Sequence, residues 1–235
     1  MGLDVYTGSL TRYLAGDWEL VAQKAARELG VPLEIVRKNE AEDAIRDPDQ
    51  IRPVVQRWRD NLSEALRDKL SNPFDWDEAS EAPYFTDKPT WDCYAALMLW
   101  AAYDEQRHLN RPFDGPAEWG DDLAYKASTA TGYQSRYSQL YNVALWLPCD
   151  FQFVFQAEFI TGSEMLIGSS RELSLQLDIL NQRTWSAKAA TLEQWNFDGA
   201  EKGVPLETSA RFAFSIFKSL ADQSNLHRVP MVLDW

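Results

Sequence analysis

The sequence predicts an α+β fold, mainly helical, with a small and mostly antiparallel sheet. Three observations predict it. Apolar residues recur at helical spacing over 47–70 and over much of 169–220, but alternate with polar ones near the N-terminus and over 141–157. The resulting order of strand, several helices, hairpin, helices and strand is that of an α+β domain. The chain has 235 residues, 45% hydrophobic and 25% charged, enough for a core without a disulfide or metal staple. It reads as a single domain over 1–235, with an irregular acidic, aromatic-rich segment over 71–125 and no internal repeat.

In order along the chain, Leu3 and Val5 alternate with Asp4 and Tyr6, a short strand within 2–10. Gly16-Asp17 predicts a helix start, with Asp17 as N-cap, Glu19 in the first turn, and an end at Gly30 before Pro32. The clearest helix opens at Asp47-Pro48-Asp49-Gln50, which supplies an N-cap, a proline at the first helical position and a glutamine at the third. Ile51, Val54, Val55, Trp58, Leu62, Leu66 and Leu70 then form its apolar stripe, while Arg57, Arg59, Asp60, Glu64 and Arg67 face water. From Ser71 to Thr90 no periodicity is evident, and Pro73, Pro83 and Pro89 mark a loop. Trp91 to Tyr103 is apolar almost all round and predicts a buried helix. Another irregular stretch, 110–120, holds Pro112, Gly115 and Pro116.

In the second half, Tyr141, Val143, Leu145 and Leu147 alternate with Asn142, Ala144 and Trp146. Phe151, Phe153, Phe155 and Ala157 predict a strand with the phenylalanines on one face and Gln152 and Gln156 on the other. Thr161-Gly162-Ser163 is its turn into Met165-Leu166-Ile167. Ser169 and Glu172 have capping-box spacing before a helix with Leu173, Leu177 and Leu180 on one face; Thr191 and Gln194 repeat that spacing. Leu206, Ala210, Ala213, Phe217 and Leu220 mark a longer helix. Val229 to Leu233 predicts an edge strand, because Pro230 cannot donate to a ladder, and it is expected to pair with the first strand.

Charge is the most informative feature for function. The net charge is −13. Residues 71–125 carry twelve acids against three bases and eleven of the chain's 30 aromatic residues. Such a surface repels nucleic acid and attracts a cationic partner. No apolar run reaches the ~18 residues that span a bilayer. The N-terminus lacks the basic and apolar parts of a signal peptide. The expectation is a cytoplasmic protein. Cys93 and Cys149 sit in unlike contexts and read as small buried thiols, a disulfide being the minority reading.

Reaction motifs are scarce. Glu105 and His108 give one Glu-x-x-His, half of a di-iron bundle motif, without a second copy and without the HExxH zinc pattern. His227 is the other histidine. There is no Gly-x-Ser-x-Gly elbow, Gly162 to Gly168 lacks a P-loop ending, and Asp198 to Gly203 is a charged turn. No metal or cofactor is expected. Asp75, Asp77, Glu78, Asp92, Asp114, Glu118, Asp121 and Asp122 remain as carboxylates for acid–base work on a glycoside, with Trp76, Trp91 and Trp119 to stack on sugar rings. The same combination of aromatics within carboxylates also suits a protein interface, where Trp and Tyr anchor and acids steer a basic partner.

Met1-Gly2-Leu3-Asp4-Val5-Tyr6, Leu10-Thr11-Arg12-Tyr13 and Gly16-Asp17-Trp18-Glu19 resemble a group of uncharacterised bacterial proteins. Ile167-Gly168-Ser169-Ser170, the run from Asn181 to Trp185 and Arg211-Phe212-Ala213-Phe214 are similar to the same group. The resemblance covers the acidic centre poorly and brings no activity or site residue with it. In general character it looks like the class of toxin-system immunity proteins, an analogy of class. The expected function is a non-catalytic binding protein with a basic protein partner, an immunity-type inhibitor of a cationic toxin being its most concrete form. Its expected surface is Trp76, Asp77, Glu78, Trp91, Asp92, Trp119, Asp121 and Asp122. A carboxylate-based hydrolase is the first alternative, marked by convergent carboxylates in a cleft. A scaffold with dispersed acids and buried aromatics is the second.

Overall fold

The computed structural model describes residues 3–31, 46–115, 118–200 and 203–234. Met1, Gly2, Pro32, Pro116 and the Glu201-Lys202 part of the charged turn lie outside the described residues. The described residues form an α+β fold around a six-stranded sheet. Strands β1 (Asp4–Thr7), β2 (Phe85–Asp87), β3 (Val143–Leu147), β4 (Phe155–Glu158), β5 (Glu164–Ser169) and β6 (Met231–Asp234) lie in the order β2-β1-β6-β3-β5-β4. The sheet is mixed: β3 and β5 are parallel and the other neighbours antiparallel.

β1 and β6 pair from Asp4↔Asp234 to Thr7↔Met231, as the first and last apolar runs predicted. β6 is not an edge strand, however; it lies between β1 and β3. Pro230 stands just before its first residue, outside the ladder, so the missing N–H removes no strand bond. The Pro230 carbonyl accepts from Gly8 N at 2.9 Å.

Both faces of the sheet are covered, which is why Asp4 to Thr7 are all buried instead of alternating. Side chains still alternate between two clusters. Leu3, Val5, Met231 and Leu233 join one, with the inner sides of α4 (Trp91–Glu105), α6 (Ser170–Thr184) and α8 (Leu206–His227). Tyr6, Leu145, Leu147, Ile167 and Val232 join the other, with α1 (Leu10–Ala15) and α3 (Pro48–Ala65). The β3 register shifts between Val143 and Leu145, so Val143 shares the face of Trp146 and not, as simple alternation predicted, that of Leu145.

Local signals placed the longer helices. Asp47 caps α3 by accepting from Asp49 N at 3.0 Å, and Ile51, Val55 and Leu62 are buried. The helix ends at Ala65, short of Leu70, and Val54 is exposed. In α4 every residue from Cys93 to Asp104 is buried, as expected for a helix apolar all round. Ser169 caps α6 by accepting from Glu172 N, and Gly162, at φ +85°, makes the β4–β5 turn. Both cysteines are free, but only Cys93 is buried; Cys149 is half-buried, against the expectation for it.

Other elements differ from expectation. No helix starts at Asp17, which is exposed. Instead α1 ends at Gly16 in the left-handed region (φ +71°), and α2 (Val21–Glu28) starts after Leu20. The helix α7 (Ala189–Asp198) starts after Lys188, so Thr191 is inside it and not its cap. The predicted strand over 151–157 is reduced to β4, yet the phase was right. Phe151, Phe153 and Phe155 cluster with ring centroids 5.3–5.9 Å apart, while Gln152 and Gln156 are exposed.

Candidate functional site

The residues expected to form one acidic–aromatic surface separate into three groups. The first is 74–78. This stretch has a period of two after all: Phe74, Trp76 and Glu78 are buried, and Asp75 and Asp77 are exposed. Trp76 packs in the cluster under α3, with its ring edge-on to Trp58 and the Arg59 guanidinium 5.4 Å from its centre. Its Nε1 donates to Glu78 Oε1 at 2.5 Å. Glu78 also accepts from Leu10 N at 3.0 Å and Thr11 N at 2.8 Å. Those two amides open α1 and have no partner within the helix, so Glu78 caps it from 68 residues away. Trp76 and Glu78 are thus structural. Asp77 folds back on Ala79 N at 2.8 Å, and Asp75 pairs with Arg228 at 2.5 Å.

The second group closes the start of α5 (Leu123–Ser128). Asp122 caps that helix, accepting from Ala124 N at 2.8 Å and Tyr125 N at 3.2 Å, and takes the Tyr103 hydroxyl at 2.8 Å. Asp121 is exposed and bound to Lys126 at 2.7 Å, which lowers its pKa from the ordinary carboxylate value.

The third group surrounds a cleft of about 500 Å³ at the N-terminal end of α4. Thr90 caps α4 by accepting from Cys93 N at 3.2 Å, and Asp92 stands in the first turn, where the helix dipole favours an acid. Asp92, Asp114, Trp119 and Ser209 are its main polar and aromatic lining, and Ala95, Ala96, Leu99 and Leu206 give it an apolar wall. Trp119 is half-buried and held edge-on to Tyr125, with centroids 5.0 Å apart. Trp91 is partly buried against the core beside Tyr94.

Of the eight expected residues, then, the cleft takes Asp92 and Trp119, and brings Asp114 to them. Trp76 and Glu78 belong to the opposite face of the sheet. The histidines take no part in the cleft. His108 is exposed beyond α4, while Glu105 accepts from Ser135 and Arg136. His227 stacks on Phe85 with centroids 5.3 Å apart. Among the described residues no group of three or more His, Cys, Asp or Glu is arranged to hold a metal ion. Nor, among them, is any helix long and apolar enough to cross a membrane.

Sequence reasoning missed a second cluster, around Asp104. Two of the three bases of 71–125, Arg107 and Arg111, gather there with Arg183. The available signal was the one-turn spacing of Trp100 and Asp104 at the end of α4, with Arg107 and Arg111 just beyond it. No family model matches the chain, and no curated protein or solved structure matches it.

Proposed function

We propose that the protein is a non-catalytic binding protein whose cleft at the start of α4 receives a basic side chain of a protein partner. An immunity-type inhibitor of a cationic toxin, acting in the cytoplasm, is the most concrete form of this reading. One observation supports it most: Asp92 and Asp114 line a single cleft with the Trp119 indole and an apolar wall. A lysine or arginine lays its aliphatic stem on such a wall and its charged head against carboxylate and indole. The net charge of −13 adds long-range attraction that speeds encounter.

The test is titration with an arginine-containing peptide at low and high salt. The double variant Asp92→Asn/Asp114→Asn is expected to weaken binding by about tenfold or more. Asp60→Asn/Asp68→Asn changes net charge equally at exposed positions on and just beyond α3 and is expected to have little effect. Equal losses from both pairs would reduce the binding to bulk charge and contradict the reading. Turnover of a glycoside abolished by Asp92→Asn or Asp114→Asn would replace it with the hydrolase.

A further inference from the structure

Asp104 is 3% exposed in the last turn of α4, an end of the helix that disfavours an acid. Cations and a phenol hold it there. Arg107 Nη2, Arg183 Nε and the Tyr137 hydroxyl each donate to it at 2.6 Å, and Arg136 Nη1 lies 3.8 Å away. Burial acts to raise its pKa, but the hydrogen bonds from Tyr137, Arg107 and Arg183 outweigh it and hold the value below the ordinary one. Asp104 is therefore an ionised anchor that fixes arginines whose outer parts remain in solvent: the Arg107 and Arg183 side chains are 60% and 33% exposed.

Beside them lies a shallow cleft of about 420 Å³. The Arg111 guanidinium sits 3.6 Å from the centre of the Trp100 ring, and Trp100 stacks on Trp185 with centroids 5.3 Å apart. Among the described residues Arg111 makes no hydrogen bond or ion pair; the stack on Trp100 and the charges of Asp104 and Glu207 hold it. Trp100 Nε1 is buried without a hydrogen-bond partner. Arg211 Nε is too, on a side chain bound to Glu207 of the same cleft. Two of the unpaired buried donors among the described residues thus fall at or beside this cleft. The lining residues and their direct partners comprise five arginines, 107, 111, 136, 183 and 211, against three carboxylates, Asp104, Asp122 and Glu207. This local surplus of positive charge sits in a protein of net charge −13.

We propose that this second cleft binds the phosphate group of a small molecule, with Arg111 and the exposed ends of Arg107 and Arg183 contacting the anion and Asp104 positioning them. The local surplus of positive charge suits a phosphate anion. Guanidinium forks match its oxygens in pairs, and the half-buried Trp185 borders the cleft where an organic ester would extend.

The test is calorimetric titration of the full chain in phosphate-free buffer, with chloride setting a constant ionic strength. Inorganic phosphate, phenyl phosphate and acetate are compared. Saturable 1:1 binding of a phosphate, tighter than acetate, is expected. Phenyl phosphate binding better than inorganic phosphate identifies an ester as the source; equal binding identifies the free ion. Arg111→Gln is expected to weaken binding by about tenfold or more while melting within about 5 °C of the wild type, since it gives up the Trp100 stack but no hydrogen bond. Arg111→Lys, which keeps the charge and loses the fork, falls between and serves if Arg111→Gln is unstable. Absence of saturable phosphate binding, acetate binding equally well, or unchanged binding in both variants would overturn the proposal.

Discussion

Replacing Glu78 by glutamine removes an acceptor from a buried carboxylate that uses both of its oxygens. Oε1 accepts from Leu10 N and Trp76 Nε1, and Oε2 accepts from Thr11 N. An amide of the same shape has one oxygen. Its less costly orientation keeps that oxygen on Leu10 and Trp76 and turns the NH2 towards Thr11 N, setting donor against donor at a 2.8 Å separation. One charge-assisted hydrogen bond is lost, two are weakened, and a buried amide is left unpaired. Together these changes cost about 2–4 kcal/mol. For a chain of this size each kcal/mol lowers the melting temperature by roughly 2–4 °C, so Glu78→Gln is expected to melt about 5–15 °C below the wild type. Thermal melts followed by circular dichroism, with urea midpoints as a second measure, read this directly. The same variant, held well below its melting temperature, is expected to bind the basic peptide as the wild type does, because Glu78 lies away from the α4 cleft. A drop of less than about 2 °C, or a selective loss of peptide affinity, would refute the assignment of Glu78 as the cap of α1.

Three further outcomes follow from the packing. Asp104 has a folded-state pKa below its ordinary value of 3.8, so its stabilisation is present above about pH 4 and is lost as pH falls through the lower folded value. The stability gap between wild type and Asp104→Asn, measured by urea unfolding, is therefore expected to hold above about pH 4 and to shrink as the pH falls below it. Gly168→Ala puts a Cβ 2.0 Å from Gln139 Oε1 and 3.2 Å from the Trp146 ring. That oxygen already accepts from Ser169 N, so the variant is expected to lose about 1–3 kcal/mol in the same assay. Leu62→Ala empties a site 8% exposed beneath α3 and is expected to cost about 2–3 kcal/mol, at the low end for a buried leucine.

What the sequence made legible was mostly local. Asp47-Pro48 starts α3, Ser169 starts α6, Gly162 turns the hairpin, and the all-round apolar character of 91–103 marks a central helix; each signal acts within one or two turns of chain. What escaped depends on distant partners. α1 is six residues long and takes part of its cap from Glu78, so nothing near Leu10 announces it. The alternation of 74–78 was hidden because one of its inward residues is a glutamate and the stretch pairs in no ladder. Pro230 predicts an edge strand at β6, but a proline beside a strand says nothing about which neighbours the sheet supplies.

The site followed the same rule. The sequence located acids and aromatics in 71–125 but could not separate Trp76, which is core, from Trp119, which lines a cleft. Nor could it show that Asp92 and Asp114 share that cleft. The Asp104 cluster was harder to find, because its partners Arg136, Tyr137 and Arg183 come from two other segments. Net charge pointed towards a cationic partner and away from the arginines gathered around Asp104.

The ten tryptophans provide the most direct measurement of the central claim. Their indole N–H resonances, assigned by single Trp→Phe variants and followed by NMR during titration with the arginine-containing peptide, report on each part of the molecule separately. Binding in the α4 cleft predicts that the Trp119 indole shifts saturably. The indoles of Trp58, Trp76 and Trp146, in or against the core, and of Trp100 and Trp185, beside the arginine cluster, stay in place. A saturable shift confined to Trp100 and Trp185, or small shifts spread evenly over all the indoles, would contradict the account.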